Sequence, residues 1–542
     1  MPSRTNYALV IAAGFLAAIM ATTAQAQDMA APEHRDHAMT GGAVHNHDDD
    51  IAPKQPTLLT GYGNGGFPIT TRVPAAQAFF SNGMELGAAF AHRAAIEAMA
   101  EAVRLDPACA MCLWGQALVS GPTINYGKPA EDRAPLLKLA QRAQRLARGD
   151  ATTRERDLIA ALLLRYRPGS EPAVHDRAYA AAMRELAAKY PADNEIAVLA
   201  ADAILIAGFA DDDETTYAKP AGEAVGLLER VLARSPDHTP AIHFYIHAEE
   251  VLDQPEKAEP YADKLATLSP NASHLVHMPS HTFYWLGRYQ DAADTNWRAV
   301  EIGKANAKRL GLPGPAGVWG LPYHAHNVIF GLGGAMMAGD SRMALALARP
   351  LVERVTTKDA AEPAEQLLAA AGYFALARFD DPAAVLAVPE PKLPYLQAAL
   401  HYARGEALLW QRDIAAAKAE LAAIPEKIAE KPDKDNRAAE QMLGIVRGVL
   451  AGRIAMTEAR PADAAKAFTA AAELEETKDF RQFSDPPAFW YSVRRDVAEA
   501  LLAMGDAAGA RHAAEASLKL RSRDPVALAT LARADAATKP LR

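Results

Sequence analysis

Pro236 and Pro270 stand 34 residues apart, each closing a run of apolar periodicity, and the same step carries Ala224 to Ala258 to Ala292 and Val231 to Leu265 to Ala299. This internal repeat constrains the fold more than any other feature of the chain. A unit of that size is one helix–turn–helix, which cannot bury its apolar face alone and stacks on its copies. Alanine at the recurring places lets paired helices approach closely. The step also carries His243 to His277 and His247 to His281, although packing two helices requires no imidazole at either place.

About 34 residues is the period of tetratricopeptide (TPR) repeats. The fold class expected is therefore all-α: a TPR-like α-solenoid, a superhelix of helix–turn–helix repeats over residues 73–535, preceded by a disordered N-terminal arm. Half of the 542 residues are apolar and only 7% aromatic, which suits closely packed helices better than sheets. A solenoid grows by adding repeats, so this length does not demand several domains. The formal charge of -9 and the lack of any basic run with interleaved aromatics argue against a nucleic-acid partner.

Before the repeats come two segments of another kind. Arg4, the apolar run from Ala8 to Ala21 and the small-x-small Ala24-Gln25-Ala26 form the pattern of a signal peptide over residues 1–26, cleaved after Ala26. Its apolar run is shorter than the about 20 residues that cross a bilayer. No membrane span is expected after cleavage, and the expected location is periplasmic or secreted. Residues 27–72 lack helical periodicity and read as a disordered His/Asp-rich arm, with His34, His37, His45 and His47 among acids that can hold metals loosely. Residues 536–542 read as a polar tail.

In repeats of this type the first helix of each hairpin faces the concave groove. Here those helices carry His243, His247 and Glu250, then His274, His277 and His281. On a helix turning about 100° per residue, His243, His247 and Glu250 fall within roughly 60° of one another. Pro279 belongs in the first turn of a helix rather than its interior, so the run bends at Met278 and gathers its imidazoles. The regularity then breaks: Gly287 to Gly339 exceeds one period by half a repeat, which places an inserted loop at about 304–322, rich in Gly and Pro. Trp319 and Tyr323 give this loop an apolar face, and it delivers His324, His326 and Asn327 to the start of the next helix. Seven of the sixteen histidines lie between His243 and His326.

Cys109 and Cys112 are the only cysteines, at a helix start. Two thiolates alone do not complete a structural zinc site, which leaves a local disulfide, a redox pair or half of a metal site. Near the end, the aromatic run after Asp485-Pro486-Pro487 offers Tyr491 and Arg494 as residues a superhelix can return to the groove.

These features resemble exported bacterial TPR-repeat proteins that carry the Cys109-Ala-Met-Cys112-Leu-Trp114-Gly opening and the His274-Leu-Val-His277-Met-Pro-Ser-His281 run. The resemblance covers nearly the whole mature chain. It implies an α-helical solenoid and export, and it brings no reaction with it.

The residues themselves point to metal. Imidazoles suit Zn, Cu and Fe, and His243, His247, Glu250, His274, His277, His281, His324 and His326 are the candidate ligands. Zinc follows from the imidazole count and copper gains from nearby methionines, with iron behind both. A peptide or protein partner in the groove is the companion reading. Two alternatives remain open: a metal-dependent hydrolase or oxygenase with Glu250 as its catalytic carboxylate, and a metal-free interaction scaffold. His243-Phe-Tyr-Ile-His247 lacks the general base of His-Glu-x-x-His proteases.

Overall fold

A computed structural model describes residues 56–169, 171–209, 216–312, 314–432 and 436–538. The expected signal peptide over residues 1–26, residues 27–55 of the expected arm and residues 539–542 lie outside the described residues. Those described form an all-α solenoid of helical hairpins, with an isolated bridge between Ser484 and Pro487 beside the helices.

The central hairpins are the repeats expected from sequence. Thr239–Val251 pairs with Pro255–Leu268, and the bipartite helix Ser273–His277 and Pro279–Trp285 pairs with Tyr289–Arg309. His324–Ala338 then pairs with Ser341–Thr356. The break at Met278 falls where Pro279, lacking an N–H, opens the second piece. A tight turn joins the two helices of each hairpin, each with a residue in the left-handed region: Asp253 (φ 55°), Gly287 (φ 74°) and Gly339 (φ 80°). Gly287 is required for space as well as conformation, because a Cβ there would sit 2.4 Å from the Ser522 carbonyl oxygen. Alanines of the repeat register, Ala224, Ala258 and Ala292, are fully buried where paired helices meet.

Three boundaries differ from the sequence-based ones. Within the expected arm, residues 56–72 form a strap bonded to the central repeats. Three glycines at positive φ, Gly61, Gly63 and Gly66, let it lie extended against them. Its bonds replace helix periodicity as the ordering force. Asn271 donates from its backbone N to the Gly61 carbonyl (2.9 Å), Tyr62 donates to Asn306 Oδ1 (3.3 Å), and Tyr62 and Phe67 are buried. The insert is also shorter than 304–322. The Tyr289–Arg309 helix continues through its first residues, and only beyond it does the chain leave regular helix, for short turns at Gly314–Gly317 and Val318–Gly320. The last helix, Pro525–Thr538, runs slightly past the expected end of the array.

The far end of the superhelix returns to the centre. Tyr284 donates to the Trp490 carbonyl (3.2 Å) and Tyr289 to the Ser522 carbonyl (2.6 Å). Residues beyond 480 thus lie against the His-bearing helices, and the strap runs past the starts of two of them, at Thr239 and Asn271.

Asn64 is the strap's principal latch: Thr239 N donates to its Oδ1 (2.9 Å) and its Nδ2 donates to the Asp237 carbonyl (2.7 Å). Asn64→Ala leaves the Thr239 amide at a helix start without its acceptor and should cost about 1–3 kcal/mol. Hydrogen exchange is the check, with faster exchange expected at the Thr239 and Asn271 amides and no change in the Arg437–Thr457 helix.

Candidate functional site

Three successive first helices supply six buried imidazoles, and these fall into two triads. His243, His247 and His274 form one; His277, His281 and His326 form the other, with the ligand-capable atoms of each within 4.8 Å of one another. The second triad is the first moved on by one repeat. His243 becomes His277 and His247 becomes His281, while His274 becomes His326 once the insert is added, the same separation that relates Gly287 to Gly339. The i, i+4 pair lies on one helical face, and the first turn of the next repeat provides the third ring.

Within each triad the Nε2 atoms face inward. His243 Nε2 lies 3.0 Å from His274 Nε2 and 3.2 Å from His247 Nε2. His277 Nε2 lies 2.9 Å from His281 Nε2 and 3.1 Å from His326 Nε2. Nitrogens bound to one tetrahedral ion at about 2.0–2.1 Å stand about 3.3–3.4 Å apart, so small shifts suffice to seat one.

Partners on the far side of the rings dictate which nitrogens are free. His243 Nδ1 lies 2.8 Å from the Ala88 carbonyl, which can only accept, so that nitrogen carries the proton. Asn296 commits its Nδ2 to the Ala292 carbonyl and turns Oδ1 to His277 Nδ1 (2.7 Å). Glu250 Oε2 accepts from His281 Nδ1 (2.7 Å), while Glu250 Oε1 accepts from Trp285 Nε1 (3.2 Å). His243 and His277 therefore present unprotonated Nε2 atoms to the shared points, and His281 does so once it gives up its Nε2 proton. Outer hydrogen bonds of this kind orient metal-binding imidazoles. Two bare lone pairs 2.9 Å apart, at His277 and His281, repel unless a proton or another cation lies between them.

Charge follows the same division. Burial lowers His243 and His326 to about 3 and holds His247, His274 and His277 well below their ordinary value, with neighbouring imidazoles adding to the effect. Burial acts likewise on His281, but the Asp485 and Glu250 carboxylates outweigh it and carry that ring up to about 9. Asp485 Oδ1 lies 3.3 Å from His281 Nδ1 and 4.0 Å from His326 Nε2.

Several sequence-predicted residues stand elsewhere. Glu250 does not complete a set with His243 and His247; one helical turn further on, it meets the next repeat, accepts from His281 and groups with His281 and Asp485 in a third cluster that could hold an ion. His324 is apart from both triads, packed against Trp319 (4.8 Å between ring centroids), because it begins the helix on the side away from His326. Tyr323, at φ 67°, turns its ring inward over His274 (4.4 Å), with Phe90 at 4.8 Å from the same ring. Asn327 donates to Ser273 Oγ (3.2 Å). Tyr491 is fully buried, donating to Asp496 and accepting from Arg453, and Arg494 pairs with Glu476, so neither reaches the imidazoles. Asp485 comes from that segment instead. Its only sequence signal was the compositional break at Asp485-Pro486-Pro487. Cys109 and Cys112 form a disulfide. The rings stand in no open peptide groove, since the six are at most 8% exposed.

Fold and site together define an α-solenoid enclosing two repeat-related imidazole triads. No protein-family model matches the chain, and no curated protein does. Among solved structures it is similar to the human IFIT1 dimer with m7Gppp-AAAA, at 12% identity over 86% of this chain and 91% of that one with a TM-score of 0.29. It is similar to yeast Tom70 at 13% identity, over 86% and 89%, with a TM-score of 0.27. The Cut9 chain of the APC/C hetero-tetramer Cut9–Hcn1 gives 12% identity over 85% and 76%, with a TM-score of 0.29. No helix of the described residues is long and apolar enough to cross a membrane.

The depressed imidazoles make stability depend on pH with a definite sign. Below the ordinary histidine value of 6.5, the unfolded chain takes up protons at His243, His247, His274, His277 and His326 that the folded chain refuses, so stability falls. His281 acts oppositely, contributing stability that is complete below 6.5 and lost as pH rises through about 9. Five rings outweigh one. Chelator-treated protein should unfold at lower denaturant at about pH 5.5 than at about pH 7.5, and replacing His243 and His277 with Phe should flatten that difference.

Proposed function

We propose that this chain is an exported transition-metal-binding solenoid that holds up to two ions, one in each triad. The observation that carries the reading is the convergence of three Nε2 atoms in each triad while Nδ1 of His243, His277 and His281 is engaged by Ala88, Asn296 and Glu250. Zinc and copper suit such a donor set, with iron after them. Ligand roles go to His243, His247, His274, His277, His281 and His326. Asn296 and Glu250 are positioning residues. Protein partners would then meet outer surfaces of the solenoid, because Phe90, Tyr323 and Asp485 close over the rings. Export rests on the signal pattern of residues 1–26, and a mature N-terminus at Gln27 by mass spectrometry would support it.

Elemental analysis of untagged protein should show Zn or Cu at between one and two ions per chain. His277→Ala should remove the ion of its own triad and leave the other. Stripping with a chelator should lower the melting temperature, since a ligand at about 1,000 times its dissociation constant adds about 4 kcal/mol. Folded, untagged protein that takes up no Zn, Cu or Fe after reconstitution would sink the proposal. Asn296→Ala should weaken binding about 10–100-fold without removing a ligand.

A further inference from the structure

The two triads share a geometry and differ in charge. Around His243, His247 and His274 stand Phe90 (4.6 Å from His243, 4.8 Å from His274), Phe244 (5.0 Å from His243) and Tyr323 (4.4 Å from His274). His243 is anchored by a neutral backbone carbonyl, that of Ala88. Among the described residues no carboxylate forms a candidate metal group with this triad. The other triad backs onto two: Glu250 on His281 Nδ1, and Asp485 beside His281 and His326. Asp485 Oδ1 is a buried oxygen that accepts no well-directed hydrogen bond and has the His281 ring beside it at 3.3 Å. It is the kind of group that stays buried when a cation compensates it.

We propose that the triads take ions of different charge: His243, His247 and His274 a monovalent copper ion, and His277, His281 and His326, with Asp485 and Glu250 behind them, a divalent ion such as zinc. This rests on the metal-binding reading above. The desolvation cost of an ion scales with the square of its charge, so a monocation in the neutral aromatic-walled triad costs about a quarter of what a dication would. Three neutral imidazoles also suit the low coordination number of Cu(I), which needs no further anionic ligand. In the second triad two carboxylates match a dication's charge, and Asp485 Oδ1 is near enough to be drawn in as a fourth donor. Repulsion between the sites adds to the preference. Rings of the two triads come as close as 5.7 Å (His247 to His281), and a monocation beside a dication repels half as strongly as two dications at the same separation.

The experiment uses full-length mature protein, stripped of metal, offered Cu(I) as its acetonitrile complex without oxygen together with zinc sulfate. Native mass spectrometry and elemental analysis should find one copper and one zinc per chain. The E250Q/D485N variant should lose zinc affinity at least about tenfold while copper is retained, and His247→Ala should do the reverse. Copper X-ray absorption on the wild-type protein needs no variant to fold; it should show Cu(I) with three nitrogen neighbours. Two ions of one element bound equally well, or zinc kept undiminished by a folded E250Q/D485N variant, would overturn the assignment and leave the metal reading standing. Protein that takes up neither ion overturns both.

Discussion

Six imidazoles removed from water set the terms for everything around them. Each ring has two nitrogens that need partners, and burial makes the protonated, doubly donating form expensive for five of the six. The structure meets part of this need on the outer side, with the Ala88 carbonyl, the Asn296 amide oxygen and the Glu250 carboxylate. None of these comes from the same hairpin as the triad's third ring. Correct repeat register is therefore a condition for the triads to exist, and a slipped helix would strand a buried nitrogen.

Enclosure is achieved by segments remote in sequence. Ala88 and Phe90 of the N-terminal hairpin close on His243 and His274, and the chain near residue 485 is fixed through Tyr284 and Tyr289. In a stack where each repeat touches its neighbours, such long-range closure is additional to the ordinary nearest-neighbour stabilisation. It exchanges an open concave surface for a dry interior. That exchange explains why rings placed where TPR-like arrays would grip a peptide are instead sealed from solvent.

Periodicity made the array legible, and the register alone located five of the six triad histidines. His326 was legible too, because the insert displaces it by the same amount as Gly339 from Gly287. What the sequence could not disclose was partnership across distance. Glu250 shares a stripe with His243 and His247, yet its carboxylate meets His281, since side chains at a helix's C-terminal end reach across to the next repeat. Asp485 lies some two hundred residues from His281, and no local pattern encodes a contact made by superhelical closure. The arm's end was misplaced for a related reason. Hydrogen bonding of Gly61 and Asn64 to other repeats ordered a stretch whose local composition argues for disorder.

Repetition here duplicates position without duplicating environment. His243 and His277 occupy equivalent places and both carry Nδ1 protons, but one proton goes to a backbone carbonyl and the other to an amide. His247 and His281 are equivalent as well, yet only His281 has carboxylates against it, because its repeat faces the returning C-terminal segment while the earlier one faces the N-terminal hairpin. A repeat step can copy the three nitrogens of a site, since these depend on one helix and the start of the next. It cannot copy the charge around them, which is set by whatever lies on each flank. Two sites that arise from one sequence pattern are for that reason free to become chemically unlike, and a single carboxylate delivered from a distant repeat is enough to separate them.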